Sequence, residues 1–189
     1  MRRSTIMLSV FAALAFCILA ANFQSAVVAQ RPAPAAPNDD KANAIDITGR
    51  KVFRARYDTT GASIETDDPC ISCCFFGVGQ NDKTIWFVKT VENDGTVVRV
   101  STLGSDYDTV VSVWDGSAGA PTGTGGPPCV NDMGTTELAC NDDAGGTLQS
   151  EVSLVANAGD VLYIEIAECT GTATGFGGTA AITISQLRR

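Results

Sequence analysis

No histidine occurs anywhere in the 189 residues. That absence removes the usual general base near neutral pH and the commonest partner of cysteine in mixed zinc sites. Cations are scarce as well: 13 lysines and arginines stand against 21 aspartates and glutamates, for a net charge of −8. Nucleic-acid binding needs a basic footprint to neutralise phosphates, so that class of partner is excluded. An anionic lipid surface would repel the chain for the same reason, whereas calcium would be attracted. No window holds apolar residues at helical spacing, which argues against an α/β enzyme fold. No Gly-x-Ser-x-Gly elbow, phosphate-binding glycine loop or D-x-D-x-D-G calcium loop is present.

The single long apolar run is at the start. Arg2 and Arg3 precede an almost wholly apolar stretch from Ile6 to Ala21, and Val27-Val28-Ala29 offers small residues before a cut. This is the layout of a secretory signal peptide, expected over residues 1–29. An uncleaved anchor is the competing reading, but the polar Asn22, Gln24 and Ser25 directly after the run favour cleavage. Phe16 before Cys17 argues against a lipoprotein cysteine. The mature protein is expected to be secreted, extracellular or at the cell surface, without membrane insertion.

Six cysteines follow the leader: Cys70, Cys73, Cys74, Cys129, Cys140 and Cys169. An even count in an oxidising compartment reads as disulfides, with zinc at Cys70, Cys73, Cys74 and Cys169 as the rival. Residues 30–37, containing "RPAPAAP", read as an extended spacer that neither packs nor pairs. Residues 38–189 read as one β domain. "KTIWFVKTV" (Lys83 to Val91) alternates, Asn93-Asp94-Gly95 supplies hairpin turn chemistry, and "TVVRVST" (Thr96 to Thr102) is its expected partner. Thr109 to Trp114, "VLYIEI" (Val161 to Ile166) and "AAITIS" near the end are further strands, with weaker ones at Val52–Tyr57 and Glu151–Val155. In "VLYIEI", Leu162, Ile164 and Ile166 should face in, with Tyr163 and Glu165 out or sideways. About eight short strands with glycine-rich turns indicate an antiparallel, jelly-roll-like β-sandwich braced by disulfides.

Chemistry is concentrated in two acidic loops. "SDYDT" places Asp106 and Asp108 two residues apart, on one face of an extended backbone, and "LACNDDAGG" joins Asn141, Asp142 and Asp143 to a glycine pair. Paired carboxylates repel unless a cation or several donors stabilise them. Calcium would accept that arrangement with Asn141 as a further oxygen donor; a clasp of backbone N–H bonds is the alternative, and spacing favours the clasp. The Asn-Asp dipeptide occurs five times, as turns require, which weakens any special reading of one copy. Two-carboxylate hydrolysis is the least favoured function, because no acidic pair has neighbours that would separate its pKa values. A non-catalytic binding or accessory module for an extracellular glycan or protein leads, with a structural component of an extracellular assembly as the runner-up. No cofactor is required, and calcium is the one the loops would admit. Candidate ligand-binding aromatics are Phe75, Phe76, Tyr107, Trp114 and Phe176; Trp86, Phe87 and Tyr163 belong to strand patterns and to the core.

In order along the chain, "PNDDKANA", "KTIWFVKT", "SDYDTVVSVWDGS", "LACNDDAGGTLQSEVSL" and "AGDVLYIEI" resemble the bacterial pre-peptidase C-terminal domain family over about residues 37–187. The resemblance implies a non-catalytic, jelly-roll-like module on exported proteins, with roles in substrate or surface binding, secretion or processing. It implies a calcium site through a Glu-x-Glu-Pro-Asn-Asp linker, onto which Asn38 and Asp39 map; Pro34 and Ala36 stand where the glutamates would be. It also brings the Asp106/Asp108 and Asn141–Asp143 loops together at one end of the sandwich. Within this frame Cys129 and Cys140 are the preferred disulfide, closing "CVNDMGTTELAC" for roughly 2–4 kcal/mol. One of Cys70, Cys73 and Cys74 is expected to join Cys169.

Overall fold

Alternating apolar side chains build nine strands in the computed structural model, which describes residues 33–74, 81–123, 136–170 and 175–188. They are β1 (Ile45–Asp46), β2 (Val52–Asp58), β3 (Asn81–Thr90), β4 (Thr96–Ser101), β5 (Thr109–Asp115), β6 (Glu137–Asn141), β7 (Glu151–Ala156), β8 (Val161–Cys169) and β9 (Thr179–Arg188). Among the described residues the one helical piece is a 3-10 turn at Lys41–Asn43, whose second N–H bonds the Asp40 carboxylate at 2.7 Å. One sheet has the order β1-β3-β8-β5-β6 and the other β2-β9-β4-β7. Setting aside β1, which pairs parallel with β3, the other eight strands interleave antiparallel in the jelly-roll order. The expected fold class is present. The described strands all belong to one compact unit, Pro32–Arg189.

Between the sheets, Ile85, Phe87, Val111, Val113, Ile164 and Ile166 meet Phe53, Val98, Val100, Ile182 and Ile184. Each such side chain, fully removed from water, contributes roughly 1.5–3 kcal/mol before the cost of ordering the chain. The five-stranded sheet is also covered on its outer face. Ile71, Cys74, Trp86, Val110, Trp114, Ala167 and Cys169 form a second apolar cluster there. This explains why six of the seven residues of β5 are buried and its pattern does not alternate. Glu165 points to that outer side as expected, yet it is fully buried and accepts a bond from Trp114 Nε1 at 3.0 Å.

Three expectations are corrected. β3 and β4 are consecutive but lie in different sheets, so Asn93-Asp94-Gly95 is a crossover rather than a hairpin. Those residues reverse the chain as their chemistry demands, with φ +65° at Gly95. They then bond the crossover between β7 and β8: the Ala158 N–H donates to Asp94 and the Gly95 N–H to Asn157. The spacer also pairs, because proline loses its N–H but keeps its carbonyl. Asp58 N–H donates to Pro34 O at 2.7 Å and Ala36 N–H to Asp58 O at 3.1 Å. β6, treated in sequence as the shoulder of a turn, is an edge strand of the five-stranded sheet; "ELACN" carries no alternation that would announce it.

The disulfides depart from the preferred pairing. Cys140 is bonded to Cys73, and Cys74 to Cys169, with Cα separations of 6.0 and 5.7 Å. Cys70 is disulfide-bonded as well. Cys129 lies outside the described residues, as do the expected leader, Phe75 and Phe76. Sequence proximity favoured a local loop, but Cys140 sits mid-β6 and faces the cover, opposite Ser112 of β5. In a Cys140→Ser variant, alkylation and peptide mapping should find the freed thiol at Cys73 and none at Cys129. A label on Cys129 would restore the local pairing.

Candidate functional site: a carboxylate cluster at the loop end

Asp108 immediately precedes β5, and Asp142 and Asp143 immediately follow β6, its antiparallel neighbour. That pairing places the start of one strand beside the end of the other. Asp108, Asp142 and Asp143 each offer an oxygen within 4.8 Å of the others. The turn after them depends on its glycine pair, since Gly145 and Gly146 have φ of +64° and +82°, where a side chain would be strained. Ala144 N–H closes the loop onto Gln149 O at 2.7 Å.

A ladder of hydroxyls holds this end rigid. Thr102, Thr109 and Ser150 are fully buried at the ends of β4, β5 and β7. Thr102 and Thr109 share a hydrogen bond of 2.6 Å, and Ser150 N–H donates to Thr102 Oγ1 at 2.8 Å. Ser150 Oγ lies between the carbonyl oxygens of Thr109 and Asp142 and donates to one at a time. Asn141 completes the frame: its Oδ1 accepts from Glu151 N–H at 3.0 Å and its Nδ2 reaches Asp143 O at 3.4 Å. The hydroxyl ladder had no signal in the sequence, because threonine is ordinary at strand ends.

The electrostatics of the cluster are unfavourable as the side chains stand. Asp108 Oδ1 and Asp142 Oδ1 are shut off from solvent with no hydrogen-bond partner among the described residues. Asp142 Oδ2 lies 3.4 Å from Cys169 Sγ, which carries no proton because it is in the Cys74 disulfide. Burial, and after it the charges of Asp108 and Asp143, lift the Asp142 carboxyl from 3.8 to about 6. Asp108 is raised by burial first, then by Asp143 and Glu168. No lysine or arginine forms an ion pair with any of them among the described residues. Three oxygen donors with two orphaned lone-pair sets are the chemistry that a hard cation accepts.

The other sequence candidates fall elsewhere. Asp106 is a clasp: its Oδ1 accepts the Thr179 N–H at 2.6 Å and ties its loop to β9. Asn38 is buried, donates from Nδ2 to Trp86 O at 2.6 Å, and accepts the Trp86 N–H on its own carbonyl at 2.8 Å. Asp39 accepts from Ser63 N–H at 2.7 Å. Neither joins the three-carboxylate group. Tyr107 and Trp114, read as ligand-binding aromatics, are 9 % and 1 % exposed. Trp114 is occupied by Glu165 under the disulfide-tied cover, and Tyr107 packs into the main core. Among the described candidates only Phe176 is open to solvent. A second acidic group was missed: Asp68, fully buried, meets Lys41 Nζ at 3.4 Å, and the adjacent Glu65 is raised to about 7 by burial and by Asp68 and Asp39.

No family model matches the chain, and no curated protein sequence matches it. Among solved structures it is similar to the Aeromonas hydrophila PliG, a periplasmic lysozyme inhibitor of g-type lysozyme, at 13% identity and TM-score 0.40, covering 76% of this chain and 96% of that one. CorA, a surface-associated copper-binding protein of Methylomicrobium album BG8, is similar at 9% identity and TM-score 0.40, covering 84% and 100%. The Podospora anserina GH26-CBM35 β-(1,4)-mannanase gives 15% identity and TM-score 0.26 over 74% of this chain and 29% of that one. Scores this low carry no argument about function, which therefore rests on the residues themselves.

The raised Asp142 carboxyl has a pH signature in metal-free protein. A carboxyl whose folded value exceeds its unfolded value stabilises fully below the unfolded 3.8 and loses that contribution as pH rises through about 6. The metal-free melting point should therefore fall between about pH 4 and pH 6 and beyond. An Asp142→Asn variant should flatten part of that fall and melt higher than the parent at pH 8; the raised carboxyls of Glu65, Asp68 and Asp108 supply the remainder. Equal pH profiles for the two proteins would show that Asp142 is not held in its protonated form.

Proposed function

We propose that the chain is an exported, non-catalytic binding module, related to the pre-peptidase C-terminal domains, whose loop end is set by one calcium ion. The observation that carries the reading is the Asp108–Asp142–Asp143 group, with two buried oxygens that nothing on the protein satisfies. Asp108, Asp142 and Asp143 would hold the ion, and the ion's charge would offset the mutual repulsion of the three carboxylates. It would fasten β5 to β6 at the end where the acidic loops emerge, and so hold those loops in one arrangement.

A carboxylate hydrolase is less well supported. The raised Asp142 invites comparison with a general acid, but a general acid must reach its substrate, and the free oxygens of Asp108 and Asp142 are closed to solvent. The described cavities, of 330, 260 and 240 Å³, include none of the three aspartates. The disulfides and the apolar cover suit an oxidising, extracytoplasmic setting.

Thermal unfolding of the oxidised protein with excess chelator and then with calcium tests the reading. Calcium at about 100 times its dissociation constant should raise the melting point by roughly 5–10 °C by mass action, and Asp108→Asn or Asp142→Asn should abolish the rise. No shift up to millimolar calcium would leave the loops as a self-sufficient clasp.

A further inference from the structure

The outer face of the four-stranded sheet concentrates positive charge on an acidic protein. Among the described side chains, β2, β4 and β7 carry Arg54, Arg56 and Arg99 against Asp58 and Glu151, whereas the five strands of the other sheet carry six acidic residues and two lysines. One of those lysines, Lys89, is 1% exposed. Arg54 and Arg56 are exposed on β2 and alternate with Phe53 and Ala55, which pack inward. Arg99 is exposed on β4 and alternates with the core residues Val98 and Val100.

The registers put hydroxyls between these arginines. Thr183 of β9 lies opposite Arg54 on one side and Ser101 on the other. Ser185 lies opposite both Val52 and Arg99. Two concavities of 330 and 240 Å³ open on this face, the first lined by Arg54, Arg56 and Thr183 among others, the second by Arg99, Ser101, Glu151, Thr183 and Ser185. Leu103 and Thr183 line both, so the two form one trough across the strands. Strand spacing of about 4.8 Å makes it roughly 14 Å from β2 to β7. Glu151 bonds Arg99, and Arg56 reaches Gly104 O at 3.5 Å; Arg54 makes no ion pair among the described residues.

We propose that this trough binds a linear polyanionic glycan, its carboxylates or sulfates taken by Arg54, Arg56 and Arg99 and its hydroxyls by Ser101, Thr183 and Ser185. Guanidinium groups bind such oxyanions in bidentate fashion, and short hydroxyl side chains match sugar hydroxyls. A protein partner would call for an apolar centre with a charged rim. Here Leu103 is the one large exposed apolar side chain where the concavities join, set among arginines and hydroxyls, and the exposed Val52, Val155 and Leu187 lie towards the margins. The inference deepens the binding-module reading and is independent of the calcium site.

The oxidised protein, kept in chelator, is titrated by calorimetry with a polygalacturonate oligomer, a heparin oligomer, a neutral cello-oligomer of equal length and poly-glutamate. One of the two anionic glycans should bind at low salt and weaken as salt rises. Arg54→Glu/Arg56→Glu, and the milder Arg54→Ser/Arg56→Ser, should weaken it at least about tenfold with the melting point unchanged. Leu148→Ser, at an exposed position outside the trough, should bind as the parent does. The inference is overturned if neither anionic glycan binds, if both double variants bind like the parent, or if poly-glutamate binds as tightly as the glycans. Binding of the neutral oligomer alone would overturn it while leaving the module reading in place.

Discussion

Trp86 and Trp114 point away from the space between the sheets, yet neither meets water. The five-stranded sheet has apolar side chains on both faces, and a sheet of that kind is stable only if both are covered. One cover is the second sheet of the jelly roll. The other is the segment around Ile71–Cys74, too short to hold itself there by burial alone. Two disulfides, Cys73–Cys140 and Cys74–Cys169, fasten it to the edge strand β6 and to the end of β8. Trp114 then has an environment in which its N–H would be orphaned, and Glu165 supplies the acceptor.

The same constraint shapes the carboxylate cluster. Cys169 is the last residue of β8 and lies against Asp142, so the staple that holds the cover also removes water from one side of the acidic loops. Desolvation is the largest cause of the raised Asp108 and Asp142 carboxyls. An exposed set of three aspartates would be unremarkable, because water would stabilise each charge. Held beneath the disulfide and framed by the Thr102–Thr109–Ser150 ladder, Asp108 and Asp142 lose much of that water, and their carboxyls are raised. Fold and chemistry meet at Cys169.

Charge follows the two layers. The covered sheet's charged residues are mostly acids, partly buried; the outer face of the four-stranded sheet carries Arg54, Arg56 and Arg99. That division is invisible in the net charge of −8, which excludes partners only on average. Arg54 and Arg56 of β2 and Arg99 of β4 reach one surface because the pleat sends them there, and β9 between them sets Thr183 opposite Arg54 and Ser185 opposite Arg99.

Strand identity was legible wherever one side of a strand alternates against water or against the main core. "VLYIEI" and "AAITIS" announce Leu162, Ile164, Ile166, Ala180, Ile182 and Ile184, and all six lie in the core. The acidic loops were legible as residue types, and Asp108 does meet Asp142 and Asp143. Asp106, two residues away, was indistinguishable from Asp108 by spacing, and only the approach of Thr179 on β9 separated their roles. The sheet membership of β3 and β4, the partner of Cys140 and the burial of Tyr107 and Trp114 were settled by tertiary structure alone. Local chemistry specifies a turn, an alternation or a thiol, each a matter of a few neighbouring residues. Which strand lies alongside, and what covers an outer face, depend on contacts between residues 48 to 119 positions apart, such as Asn38 with Trp86 and Thr59 with Gly178, which no short window contains.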